Sequence, residues 1–201
     1  MQFALSILDE RVDANNRGYV ADVQEEVELM VKLVKELVSY SKAGMKQSEI
    51  SLLAVELFPL IEQVITREAA GITAIRNEVD SRVIVQAQPE LLARALANII
   101  RNAVRYAEGQ LTISCQRKDD DWQIICTDRG KGVNDKDLDK LFDPFFRIES
   151  DRARSTGGTG QGLAIVKSCI EGCGGSVSAK NSTPHGLTIL INLKSLKEGG
   201  W

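Results

Sequence analysis

Apolar residues early in the chain recur at steps of three and four: Val20, Val23, Val27, Met30, Val34 and Leu37 form one seam. That spacing belongs to a helix burying a stripe against other helices. Val31, Leu33 and Val38 widen the stripe, which favours a bundle over a thin two-stranded seam. Upstream, Phe3, Ala4, Ile7, Leu8 and Val12 make a shorter amphipathic piece, and the polar run 13–18 separates the two. The pattern predicts a helical hairpin over residues 1–45. A helix pair packed on its own domain would carry the same seam, because apolar positions do not say whose helix covers them.

The stretch 43–48 breaks this periodicity and is read as a linker, dividing the chain into 1–45 and 46–201. Beyond it the periods alternate. Leu57, Leu60, Ile61, Val64 and Ile65 mark a helix with Pro59 in its first turn. A short strand is expected at 82–85, and Pro89 opens a longer helix carrying Leu92, Leu96, Ile99 and Ala103. Strands at 111–116 and 122–127 flank a charged turn, and a glycine-rich region leads into a helix near 163–170. Two strands, near 176–179 and 187–193, follow. Interleaved helices and strands predict an α/β domain in which helices cover one sheet.

Composition leaves this picture intact. Of 201 residues, 43% are apolar and 26% charged, so a sizeable core can form. The net charge of −3 offers no basic face for nucleic acid, and no run is long enough to span a bilayer. Of the four cysteines, Cys169 and Cys173 would share a helical face, while Cys115 and Cys126 fall in strand-like runs. A zinc site would need two more ligands, and the one histidine, His185, stands alone in a turn-like segment. Four small buried apolar residues in a reducing compartment is the simpler reading.

The polar positions carry the chemistry. Asn98, Asn102 and Arg105 are spaced four and three apart, so they share one helical face. Asparagine is a poor helix-interior residue, and its amide oxygen suits a hard cation such as magnesium; Arg105 can meet phosphate oxygens beside it. A merely solvated face would look similar. Asp128, Gly130 and Gly132 form an Asp-x-Gly-x-Gly turn directly after a strand, where a carboxylate can accept from an exocyclic amine. Gly158, Gly160 and Gly162 open a helix, presenting backbone N–H groups and the positive end of its dipole to an anion. A dinucleotide fingerprint would need a preceding strand, which the polar run 149–156 excludes, and the Walker lysine is missing. Between the glycine segments, 141–147 reads as the aromatic anchor of a lid.

Taken in order, these four segments resemble the N, G1, F and G2 boxes of bacterial two-component histidine kinases, members of the GHKL ATPase superfamily. The resemblance covers about 48–194, and the preceding hairpin looks like the end of the dimerisation and histidine-phosphotransfer domain. It implies a two-layer α/β sandwich of the GHKL (Bergerat) ATP-binding type, preceded by one hairpin of a dimeric four-helix bundle.

By that resemblance the cofactors are ATP and Mg2+. Asn102 matches the magnesium-binding asparagine, with Asn98 beside it; Arg105 matches the basic phosphate contact and Tyr106 the aromatic edge. Asp128 matches the aspartate that recognises the adenine amino group, with Gly130 and Gly132 lining its pocket. Phe145, Phe146 and Arg147 resemble the lid hinge. Gly158, Thr159, Gly160 and Gly162 fall on the phosphate side, with Leu163 packed below. Gln161 departs from the common leucine, with altered lid packing and unchanged binding expected. Gln88 departs from the usual aspartate before the proline, with loss of a helix cap expected.

The resemblance also implies transfer of the ATP γ-phosphoryl to a histidine and then to the aspartate of a response regulator receiver domain. The family's phosphoacceptor lies early in the first bundle helix. Residues 3–8 resemble the segment just after it, so the chain is expected to lack it and not to autophosphorylate. A homodimer through the hairpin and a cytoplasmic location, with the parent anchored in a membrane and no membrane contact by 1–201, complete the expectation. Two rivals remain: a nucleotide-binding or binding-dead dimerisation scaffold, and a clamp-type GHKL ATPase. The latter carries a glutamate where this chain has Asn98.

Overall fold

The computed structural model describes residues 51–72, 74–148 and 160–196. The expected hairpin at 1–45, and with it the division at the 43–48 linker, lies outside the described residues. Within them the order is β1 (Leu53–Glu56), α1 (Leu57–Glu68), β2 (Ile75–Asn77), β3 (Ile84–Ala87), α2 (Pro89–Tyr106), β4 (Leu111–Lys118) and β5 (Asp121–Asp128). A 3₁₀ segment (Asp135–Phe142), α3 (Gly162–Gly172), β6 (Ser176–Asn181) and β7 (Leu187–Lys194) complete it.

The main sheet has five strands in the order β2-β4-β5-β7-β6. β2 runs parallel to β4, and the other neighbours are antiparallel. β1 and β3 form a separate antiparallel pair, joined by a bridge between Val85 and Ser195. Strand alternation decides which face is covered. Leu111 and Ile113 of β4, Ile124 and Cys126 of β5, and Ile189, Ile191 and Leu193 of β7 are buried in one row-by-row core. Leu57, Ile61 and Val64 of α1, Leu92, Leu96 and Ile100 of α2, and Ile165, Val166 and Ile170 of α3 fill its other side. The result is the two-layer α/β sandwich expected. Asp128 continues the 124–126 alternation, so its carboxylate emerges on the helix-covered side, where sheet and helices part.

α2 follows its sequence closely. Pro89 occupies its first turn, and Gln88 Oε1 accepts the Leu91 N–H at 2.6 Å. The cap expected to be lost is therefore present: glutamine, one methylene longer than asparagine, still reaches the third residue of the helix. Cys126, Cys169 and Cys173 are buried, Cys115 is half-buried, and all four are free. Burial pushes the Cys126 thiol up to about 12, and those of Cys115 and Cys169 to about 11. The thiols are protonated at neutral pH, and among the described residues no group of three His, Cys, Asp or Glu side chains could hold a metal ion. The apolar reading of the cysteines holds. Among the described residues no helix is long and apolar enough to cross a membrane.

Candidate functional site

Three backbone segments converge at one end of the sandwich, and glycines at each contact explain how. A Cβ on Gly130 would lie 2.9 Å from the Tyr106 carbonyl oxygen and 3.2 Å from Asp128 Oδ1. The loop after β5 therefore rests on the last turn of α2. A Cβ on Gly162 would lie 3.5 Å from Asn102 Oδ1 and 3.7 Å from Asn98 Oδ1. The first residue of α3 thus faces the asparagine stripe of α2. Gly160, with φ of +74°, leaves room for the backbone of Phe145 and Phe146, which a Cβ would approach to 2.8 Å. Its carbonyl accepts the Phe145 N–H at 3.0 Å.

Asp128 is the best-held side chain of the group. Its Oδ1 accepts the N–H groups of Gly130 and Leu187, each at 2.9 Å. Both anchoring bonds go to one oxygen, so Oδ2 is left to accept from outside the chain. Gly186 makes this approach possible: with φ of +117°, a Cβ there would run into the Asp128 carbonyl. Leu187 lies 59 positions along the chain, and no sequence signal marks it as part of the site.

The two asparagines have different situations. Asn98 is only 7% exposed, and both ends of its amide are engaged. Nδ2 donates to the Arg94 carbonyl at 2.9 Å, and Oδ1 accepts from Arg101 at 3.1 Å. Arg101 in turn donates to Glu68 of α1 at 2.8 Å. Burial pushes the Glu68 carboxyl up, but hydrogen bonds and charge from Arg67 and Arg101 outweigh it and hold the group below its ordinary value. Asn98 is thus part of a tie between α1 and α2. Asn102 is half-buried and makes no hydrogen bond among the described residues, so its carboxamide oxygen is available beside Gly162. Its position suits a hard cation held between α2 and the start of α3.

Arg105 and Tyr106 stand at the rim, the guanidinium 6.0 Å from the ring centroid and Tyr106 42% exposed. Arg147 is half-buried, and Leu163 packs against the core below the α3 terminus. Phe145, 58% exposed with φ of +66°, is turned outward, whereas Phe142 and Leu141 are buried. The aromatic segment therefore splits into an anchor and an outward ring. No acidic residue occupies the first turn of α3, which keeps the positive end of its dipole open to an anion. Gly158 and Thr159 lie outside the described residues.

Comparisons with known proteins give the family and the fold it shares. The sequence profile described as "Histidine kinase-, DNA gyrase B-, and HSP90-like ATPase" matches residues 87–197, more than half of the chain. The chain belongs to this ATPase family. Sensor protein kinase WalK of Staphylococcus haemolyticus is 30% identical over 193 residues, covering 92% of this chain and 32% of that relative. WalK of Staphylococcus aureus is 29% identical over 192 residues, with 91% and 46% covered. The chain spans about a third of the length of the WalK relatives of Staphylococcus saprophyticus and Staphylococcus haemolyticus. Among solved structures, full-length ShkA in complex with AMPPNP superposes with a TM-score of 0.70 at 24% identity, over 92% of this chain and 40% of that one. The mycobacterial sensor histidine kinase MprB gives 0.62 at 27% identity, over 71% and 98%. The histidine kinase domain of the E. coli osmosensor EnvZ gives 0.56 at 29% identity, over 73% and 91%.

Gln161 is at odds with its surroundings. It is 3% exposed, and its Oε1 has no hydrogen-bond partner among the described residues. A buried, unsatisfied amide oxygen costs about 1–3 kcal/mol. Gln161→Leu is expected to raise the melting temperature by several degrees while leaving nucleotide affinity within about twofold. A variant that melts no higher than the parent would show that the amide is satisfied.

Proposed function

We propose that the chain is the ATP- and Mg2+-binding catalytic module of a sensor histidine kinase. Asp128 carries this reading: a carboxylate fixed through Oδ1 and left with Oδ2 accepts the amino group of adenine and rejects the oxygen that guanine presents there. Gly130 and Gly132 keep the pocket wall thin, and Tyr106 flanks it. Asn102 would hold magnesium, Arg105 would neutralise phosphate charge, and Gly160 and Gly162 would line the phosphate side together with Gly158 and Thr159. Leu163 supports this turn, and Phe145 and Arg147 hinge the lid. Asn98 acts at one remove, holding the face on which Asn102 sits.

Bound magnesium would shield the phosphates and make the γ-phosphoryl group easier to transfer. The chain's own groups orient the nucleotide and neutralise its charge, which is most of what phosphoryl transfer asks of a protein. The acceptor is a histidine supplied elsewhere, and the onward acceptor is an aspartate of a response regulator receiver domain. Residues 1–45 serve as part of a dimerising hairpin and 46–201 as the catalytic domain of a cytoplasmic region whose parent is membrane-anchored. A clamp ATPase would need a water-activating base at position 98. The Asn98 amide, tied at both ends, supplies none.

The test uses the whole chain with labelled ATP and magnesium. ATP should bind in preference to GTP, and no acid-labile phosphate should appear on this chain. A separately supplied helical hairpin bearing a histidine should become labelled slowly, because two free molecules lack the effective concentration of a tethered pair. His185 is exposed in the loop between β6 and β7; robust labelling there would overturn this assignment of roles.

A further inference from the structure

The loop from Asp128 to Val133 is held from both ends by one hairpin. At its start, Leu187 N–H donates to Asp128 Oδ1 at 2.9 Å. At its end, the carboxamide of Asn181 grips Val133: Oδ1 accepts the Val133 N–H at 2.9 Å, and Nδ2 donates to the Val133 carbonyl at 2.7 Å. Nδ2 also donates to Asp135 Oδ1 at 2.7 Å, where the 3₁₀ segment begins. Asn181 and Leu187 are register partners, the last residue of β6 opposite the first of β7. Gly132 lets the amide come this close: its φ is +69°, and a Cβ would sit 2.9 Å from Asn181 Oδ1 and 3.0 Å from the Gly186 carbonyl.

We propose that Asn181 is a positioning residue for nucleotide recognition, fixing the far end of the loop that carries Asp128 and so setting the ATP-over-GTP preference. The proposal rests on reading Asp128 as the adenine contact. Side-chain amides are uncommon partners for both backbone groups of one residue, because only Asn and Gln carry a donor and an acceptor side by side. Here that pair replaces a strand neighbour for Val133, and the loop gains a fixed end without a further strand. The Asp128 carboxylate is pinned through a single oxygen, so the direction of Oδ2 depends on where the loop backbone lies. Releasing Val133 lets Gly130 and Gly132 relax, and Oδ2 then meets the base off line. Affinity for ATP falls, while GTP, whose guanine oxygen Oδ2 repels, is spared that loss.

Calorimetric titration of the whole chain with ATP and with GTP, well below the melting temperature, tests this. Asn181→Ala should weaken ATP about fivefold to thirtyfold and lower the ATP-to-GTP affinity ratio by a similar factor. Asn181→Asp keeps the shape and the Val133 N–H acceptor but removes both donors and sets two carboxylates together; it should show the same loss of ratio. Asn77 provides the control. Its amide also ties elements together, donating to the Phe58 carbonyl and to Glu62, but it lies away from the loop. Asn77→Ala should lower the melting temperature and leave the ratio unchanged. An unchanged ratio in both Asn181 variants, or variants that no longer fold at all, would overturn the proposal and leave Asn181 a purely structural clamp. A wild-type chain that binds ATP and GTP equally would instead defeat the Asp128 reading, a result visible before any Asn181 variant is made.

Discussion

Asp128→Asn should lower ATP affinity by about tenfold to a hundredfold, the loss of one charge-assisted hydrogen bond, without unfolding the protein. The structure fixes which way the new side chain turns. Two backbone N–H groups converge on the Oδ1 position, so an amide nitrogen there would face donors with a donor. The asparagine oxygen must take that inner place, which leaves its NH2 group pointing to the base. A donor then meets the adenine amino group, itself a donor. The same NH2 suits the carbonyl oxygen of guanine, so the variant should lose ATP and gain GTP in relative terms. Titration of parent and variant with both nucleotides reads this directly. A variant whose ATP-to-GTP ratio matches the parent's would remove Asp128 from the site.

Asn102→Ala is expected to abolish the response of ATP affinity to magnesium. Asn98 spends both ends of its amide on Arg94 and Arg101, whereas the Asn102 oxygen, beside Gly162, has no such engagement. Magnesium keeps most of its waters and takes few protein oxygens, so removal of one ligand is felt strongly. Affinities measured with magnesium and with a chelator should differ for the parent and nearly coincide for the variant. If the variant still responds as the parent does, the metal is held elsewhere. Asn98→Ala provides a contrast: it should cost stability through Arg101 and Glu68 more than it costs magnesium dependence.

Much of this arrangement could be read from the sequence because it is local. The polar face of α2, the Asp-x-Gly-x-Gly turn and the glycines before α3 each announce themselves within a few residues. What was not legible is either short or distant. β1 and β2 have four and three residues, and of the β1 residues only Val55 is buried, too little for a period to register. The 3₁₀ segment reads Asp-Lys-Asp-Leu-Asp-Lys-Leu-Phe, whose charges mask any helical period, although the anchor residues at its end, Leu141 and Phe142, stand out. Sequence preference credits aspartate and asparagine with the cap at position 88, yet the longer Gln88 amide reaches the same N–H. Leu187 and Asn181 act through pairing between segments about 50 positions apart or more, which periodicity along one segment cannot reveal. Asn98 shows the converse limit: spacing puts it on the right face, but only its bonds to Arg94 and Arg101 show that both ends of its amide are engaged within the fold.

The sheet order also has a consequence for how the protein is born. β7 lies between β5 and β6, so the inner position beside β5 is filled by the last strand of the sheet in sequence. The β4–β5 hairpin can zip as soon as it is synthesised, whereas the β5–β7 ladder must close across the intervening chain. Until β7 is threaded in, Leu187 cannot reach Asp128, and the carboxylate has lost one of its two anchors. A nascent chain on the ribosome therefore holds Asp128 by the Gly130 N–H alone until β7 has emerged, and the carboxylate takes its full set of anchors only when the β5–β7 ladder closes.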